Sequence, residues 1–185
     1  MTRQKIAIIV GSLRKGSYNR KMARALITLA PDSLECELVE IRALPLYDQD
    51  LDDNPPPEWT EFRERIRKYE GILFVTPEYN RSVPGALKNA IDVGSRPYGK
   101  SAWAGKPAAV MSVSPGAIGG FGANHHLRQS LVFLDMPAMP QPEAYIGRAA
   151  ELFTDSDDLV SDSARKFASE FMRALAVWVE KHAKA

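Results

Sequence analysis

Short apolar runs rich in branched residues alternate with segments of helical spacing along the 185-residue chain. Ile6-Ala7-Ile8-Ile9-Val10, Ile72-Leu73-Phe74-Val75 and the stretch 108–113 are near-continuous apolar runs. A strand open to water on one side alternates apolar and polar residues, so unbroken runs predict parallel strands covered on both faces. A weaker strand is expected over 36–41, and an edge or final strand within 136–147, a stretch holding three prolines. Between them, Met22, Ala23, Leu26, Ile27 and Ala30 fall on one helical face, as do Trp59, Phe62 and Ile66. Pro84 fits a first helical turn continued by 86–93, and Leu127, Leu131 and Leu134 align on another helix expected over 125–134. Ala164, Phe167, Ala168, Phe171, Leu175 and Trp178 form the stripe of a last helix, expected to start within the acidic segment 155–162. Residues 45–57, with a triple proline, read as an irregular surface loop. Strand–helix alternation of this kind implies a doubly wound, mostly parallel five-stranded sheet with helices on both faces. With neither an internal repeat nor an interdomain linker, residues 1–185 are expected to form a single domain.

Composition narrows the function. A formal net charge of +1 argues against general nucleic-acid binding, and also against an electron carrier that docks through a strongly acidic face. Cys36 is the only cysteine, so no intrachain disulfide forms and a reducing, cytoplasmic setting is expected, with Cys36 itself a partly buried small apolar residue. One cysteine and three histidines do not make a structural zinc site, and no metal is expected. The apolar run that follows Lys5 stops at Gly11, too short for a signal segment or a membrane span.

In doubly wound sheets ligands bind outside the carboxyl ends of the strands, where the strand order reverses. Three unusual loops leave the three strongest strands there. The first, 11–19, reads Gly11-Ser12-Leu13-Arg14-Lys15-Gly16-Ser17-Tyr18-Asn19 and runs into a helix N-terminus, where free peptide N–H groups and the helix dipole favour an anion. Ser12, Ser17 and Asn19 add short donors and Arg14 a cation suited to phosphate. Ser17 or Asn19 as a plain helix cap is the simpler alternative. The dinucleotide pattern Gly-x-Gly-x-x-Gly is absent. Gly11 and Gly16 have the spacing of a triphosphate loop, but the lysine that should follow Gly16 is missing. A terminal monophosphate remains, and FMN is the commonest cofactor of that kind on such a sheet.

The second loop is framed by prolines: Pro77-Glu78-Tyr79-Asn80-Arg81-Ser82-Val83-Pro84-Gly85. A backbone set in advance aims peptide N–H groups at a flat heterocycle with little ordering cost, while Tyr79 offers a ring and Asn80 an amide. Glu78 and Asn80 serve equally well as partners of loop backbone. The third loop contains Ser114-Pro115-Gly116 and Gly119-Gly120, whose glycines permit close approach of backbone to ligand. Ser112-Val113-Ser114-Pro115-Gly116 narrowly misses the hydrolase elbow Gly-x-Ser-x-Gly. Pro115 has no N–H to donate to an oxyanion, so acyl transfer is disfavoured. His125 and His126 stand at a helix start and read as packing or interface residues.

Taken together these segments resemble the NAD(P)H-dependent FMN reductases, in particular the bacterial quinone and chromate reductase branch. The likeness is carried by Gly11-Ser12-Leu13-Arg14 with Ser17 and Asn19, and by Thr76-Pro77-Glu78-Tyr79-Asn80 with Ser82-Val83-Pro84-Gly85. Leu87-Lys88-Asn89-Ala90-Ile91-Asp92, Ala104-Gly105-Lys106-Pro107 and His126-Leu127-Arg128-Gln129 extend it. The resemblance implies a flavodoxin-like fold. It implies FMN phosphate on Ser12, Arg14, Ser17 and Asn19, with Leu13 and Tyr18 in the same loop. It further implies ring and ribityl contacts from Pro77, Glu78, Tyr79 and Asn80, and a third contact segment at Ser114 and Gly116. Arg81 stands where close relatives often carry Tyr, placing a cation beside the ring face, and Glu143 is expected to act across an interface of a homodimer or homotetramer. NADH or NADPH would supply hydride and a quinone, or chromate, would accept electrons. The cofactor carries the chemistry, so no catalytic side chain is assigned. A non-enzymatic electron carrier and a reductase that releases free reduced FMN stay open as alternatives.

Overall fold

The computed structural model describes residues 3–154 and 156–182. Five parallel strands, β1 (Gln4–Val10), β2 (Leu34–Val39), β3 (Gly71–Thr76), β4 (Ala108–Val113) and β5 (Ala144–Ile146), form one sheet in the order β2-β1-β3-β4-β5. Ile8 lies opposite Leu38 on one side and Leu73 on the other, and Ser112 lies opposite Tyr145. Helices α1 (Tyr18–Thr28), α2 (Pro57–Arg67), α3 (Gly85–Gly94), α4 (Phe121–Phe133) and α5 (Asp162–His182) cover both faces.

Alternate residues of each buried strand enter opposite cores, which is why the runs read as continuous in sequence. Ile6, Ile8, Val10, Leu73, Val75, Met111 and Val113 pack against Met22 and Leu26 of α1 and Phe171, Leu175 and Val179 of α5. Ala7, Ile9, Ile72, Phe74 and Val110 pack against Trp59, Phe62 and Ile66 of α2, Leu87 and Ile91 of α3, and Leu127 and Leu131 of α4. Each such apolar side chain contributes about 1.5–3 kcal/mol when fully buried. Trp103 is fully buried in the second core, edge-on to Phe62 at 5.8 Å, and its indole N–H donates to the Ile91 carbonyl at 3.0 Å.

Several sequence expectations shift. The final strand is only the three residues of β5, because the prolines at 137, 140 and 142 withhold ladder donors; Ala138 makes a single bridge to Ala108. Helix α4 starts at Phe121, four residues before the expected start, so His125 and His126 lie in its second turn. Helix α5 starts at Asp162; Asp155 falls outside the described residues, and the segment after it forms turns and a Phe153–Leu159 bridge. The stretch 45–57 is pinned rather than loose. Asn89 accepts from the Tyr47 N–H and donates to the Leu44 and Pro45 carbonyls, and Gln49–Leu51 forms a 3-10 turn.

Cys36, half-buried on β2, is pushed up to about 11 by burial, from an ordinary 9.0. The folded chain therefore holds this proton more tightly than the unfolded chain. The stabilisation is present below pH 9 and is lost as pH rises through about 11. Labelling with a thiol reagent at pH 8 is expected to run about a hundredfold slower on the native protein than on protein unfolded in urea.

Candidate active site

The chain leaves β1 for one face of the sheet, through α1, and leaves β3 for the other, through α3. The strand order reverses between β1 and β3, where sheets of this kind bind ligands, and the three loops leave the carboxyl ends of β1, β3 and β4 there. In the first loop the Gly11 N–H donates to the Val75 carbonyl at 2.9 Å. Ser17 caps α1 with extended backbone, its hydroxyl accepting from the Arg20 N–H at 3.4 Å. Ser12, Ser17 and Asn19 are all buried. Among the described residues the peptide N–H groups of 12, 13 and 15–19 take no partner within the chain; only that of Arg14 reaches the Ser12 hydroxyl, at 3.4 Å. A row of free donors at a helix N-terminus is an anion site. The cap reading and the anion reading of Ser17 therefore coexist, since its hydroxyl hydrogen remains free to donate.

Arg14 is held ready beside this row. Its guanidinium donates to the Gly16 carbonyl at 2.9 Å and lies 5.7 Å from the Tyr18 ring centre. Arg42, which the sequence did not single out, donates to the Leu13 carbonyl and braces the loop from the end of β2. Asn19 departs from expectation. Its amide N–H donates to the Val113 carbonyl at 3.1 Å, clamping α1 to the end of β4, and the buried atom left without a partner is the acceptor Oδ1. This bond fixes the distance between the first and third loops, and it uses one of the two amide hydrogens.

In the second loop Tyr79 and Ser82 exchange two backbone bonds of 3.0 Å around Asn80 and Arg81, both at positive φ (51° and 65°). This is the pattern of a type I′ turn. Asn suits that conformation, whereas Arg there costs about 1–2 kcal/mol. The N–H groups of Asn80 and Arg81 take no partner among the described residues, so the turn presents donors outward. Pro77 is buried and Tyr79 is half exposed.

Glu78 belongs to a different structure from the one expected. Its Oε2 accepts from the Ala123 N–H at 3.1 Å and its Oε1 from Arg81 at 3.2 Å. Helix α4 begins after Gly120, which has no side chain to cap it, and Glu78 supplies the cap from 45 residues away. Arg81, 74% exposed, leans toward that carboxylate.

The third loop is fastened to β5. The Ser114 N–H donates to Ile146, its carbonyl accepts from Ala149, and its hydroxyl accepts from the Gly116 N–H at 3.3 Å. With that hydroxyl turned into its own loop and bonded to no histidine among the described residues, the hydrolase alternative lacks its base. Gly116 offers its carbonyl to Gly119 and Arg148. On α4 the two histidines diverge: His126 Nδ1 lies 3.0 Å from the Ser82 hydroxyl, and His125 Nε2 lies 2.9 Å from the Tyr145 hydroxyl. Glu143 is exposed beside Tyr145. Burial first, and then the Glu143 carboxylate, push the Tyr145 phenol above its ordinary range. Tyr145 was missed in the sequence. Its signal was the two-residue period that sets it on the same strand face as Glu143.

The sheet order and the loops define a flavodoxin-like protein with a row of free backbone donors after β1 and a second set after β3. The chain belongs to the NADPH-dependent FMN reductase family, whose model matches residues 4–151. It is 65% identical over 176 residues to a quinone reductase of Pseudomonas putida, covering 95% of this chain and 94% of that protein. It is 46% identical over 175 residues to a 2-hydroxy-1,4-benzoquinone reductase of a Burkholderia species, covering 95% and 96%. The solved structure of FerB, a flavoenzyme NAD(P)H:(acceptor) oxidoreductase from Paracoccus denitrificans, superposes with a TM-score of 0.92 at 41% identity, covering 98% of this chain and all of that one.

The residues present fit FMN. The free N–H row with Ser12, Ser17 and Arg14 suits a dianionic monophosphate, and the free N–H groups of Asn80 and Arg81 suit the polar edge of a flat ring. FMN supplies the hydride and electron chemistry when bound. The chain's own part is to hold the phosphate and to keep one ring edge against N–H donors. The Glu78 tie from the second loop to α4 keeps those donors in place. Among the described residues no cluster of His, Cys, Asp or Glu is placed to bind a metal, and no helix is long and apolar enough to cross a membrane.

Proposed function

We propose that the chain is a single-domain FMN-dependent oxidoreductase that draws reducing equivalents from NAD(P)H and delivers them to a quinone. The unpartnered N–H row at the start of α1, together with the free N–H groups of the Asn80–Arg81 turn, carries this reading. Ser12, Leu13, Arg14, Ser17 and Tyr18 hold the phosphate, and Asn19 sets the loop spacing. Pro77, Tyr79 and Asn80 meet the ring, with Ser114 and Gly116 closing the far side. Glu78 acts through the turn it anchors. The names of the 65% and 46% identical relatives support a quinone as acceptor. Chromate is a further acceptor to assay, and Arg81, at the tip of the second loop, is the residue to vary for anionic acceptors.

The outward side of α4 supports a homodimer or homotetramer. Val132 and Phe133 are 78% and 81% exposed there, an apolar surface that a second copy would cover. The single free thiol supports a reducing, cytoplasmic location.

The test is direct. The purified protein should be yellow or reconstitute with FMN, its flavin should bleach on anaerobic addition of NADH or NADPH alone, and quinone should restore the colour. A flavin reduced only when a separate reductase protein is added would make the chain an electron carrier. A colourless protein that cannot take up FMN would overturn the reading altogether.

A further inference from the structure

We propose that Tyr145, held by His125, forms an acceptor subsite beside the flavin crevice and supplies the proton that a quinone needs. The proposal rests on the quinone reading above and goes beyond it by naming a proton donor.

The geometry is that of a poised donor. The Tyr145 hydroxyl lies 2.9 Å from His125 Nε2, and Phe121 packs against both rings, with centres 5.1 Å and 4.2 Å away. These contacts fix the phenol's direction and leave it half-buried. None of the three side chains belongs to the FMN cradle. Yet they sit on its rim, because Phe121 opens α4 immediately after the third loop and Tyr145 pairs in register with Ser112 near the carboxyl end of β4. The other side of the same helical turns is tied to the second loop, by Glu78 to Ala123 and by Ser82 to His126. Ile118 and Phe121, 59% and 48% exposed, add an apolar shelf on which a planar acceptor can rest.

The chemistry calls for such a group. Reducing a quinone to a hydroquinone takes two electrons and two hydrogens. One arrives as hydride from the reduced cofactor, replenished by NAD(P)H; the other must arrive as a proton on the second oxygen. In the proposed step the Tyr145 O–H bond breaks, a hydroquinone O–H bond forms, and the phenolate regains its proton from solvent through His125. Charged and titratable groups facing Tyr145 are His125 and Arg128 from α4 and Glu143 from the segment before β5. Arg128 is occupied by the Asn124 side chain and the Met139 carbonyl, both at 2.9 Å. Burial and Glu143 keep the phenol protonated at neutral pH, as a donor requires.

The experiment compares Tyr145→Phe and His125→Gln with the native holoenzyme, using a benzoquinone and ferricyanide, which takes one electron and no proton. The ratio of quinone to ferricyanide turnover is expected to fall roughly tenfold or more in Tyr145→Phe. In His125→Gln the ratio should fall in the same direction by a smaller factor, because the phenol loses the partner that holds it. Without cofactor, ultraviolet titration of the native chain minus Tyr145→Phe should reveal one phenol ionising above the ordinary range. An unchanged ratio in both variants, or equal loss with both acceptors, overturns the proposal. Failure of the native protein to hold FMN would instead bring down the functional reading beneath it, and this proposal with it.

Discussion

Replacing Gly119 with valine is expected to lower the melting temperature by on the order of 10 °C and to abolish tight FMN binding. Gly119 has a φ of +67°, and a Cβ there would sit 2.5 Å from the Tyr145 carbonyl carbon, 2.6 Å from its oxygen and 2.9 Å from the Ile146 nitrogen. All three are backbone atoms of β5, which no rotamer change relieves. The dihedral strain of a branched residue at positive φ costs about 1–3 kcal/mol, and forcing the strand and loop apart costs about as much again. The third loop would have to lift from β5, taking the start of α4 with it. Gly99 provides the control, because its φ is +77° but nothing lies within 4 Å of a Cβ there. Gly99→Ala should therefore cost only about 1–2 kcal/mol and leave FMN affinity unchanged. Denaturant melts with flavin fluorescence separate the two, and comparable losses at both positions would show that packing against β5 is not the cause.

Arg14→Ala is expected to weaken FMN binding about 10- to 100-fold, the equivalent of one charge-assisted hydrogen bond of about 1.5–3 kcal/mol. Among the described residues the Arg14 side chain bonds the Gly16 carbonyl and lies over the Tyr18 ring from the exposed side of the loop, so stability should change by no more than about 0.5 kcal/mol. Riboflavin, which lacks the phosphate, gives the discriminating arm: its affinity should be the same for native and Arg14→Ala protein. Lysine at this position restores the charge but not the planar fork, so recovery should be partial. Equal losses for FMN and riboflavin would mean that Arg14 supports the ring and not the phosphate.

How much of this was legible beforehand depends on the range over which each feature is encoded. The strand–helix order was readable because a buried parallel strand and an amphipathic helix each leave a periodic mark within about ten residues. The first loop was readable for a similar reason. Its serines, Arg14 and the helix start at Tyr18 are contiguous, and their arrangement matches the N–H row that the fold presents. Local patterns failed where a residue answers to a distant partner. Glu78 looks like a ring contact in its own loop, but its carboxylate caps α4, whose start was hidden by the glycines before Phe121. Asn19 looks like a residue of its own loop alone, but one of its amide hydrogens goes to the carbonyl of Val113, 94 residues away.

The sequence by itself therefore determined the layered sheet, the donor-rich loop from Gly11 to Asn19 at a helix start and the proline-framed loop after β3, since each is written in neighbouring residues. Only the tertiary structure decided which side chains bond to distant loops and helices. It turned Arg81 toward Glu78, gave Asn19 to β4, and brought Tyr145 of β5 against His125 of α4. Those pairings span 3, 94 and 20 residues. They follow from which peptide groups the packed elements leave without a partner, and a buried or capping group takes the nearest side chain that can satisfy it, however far away in sequence.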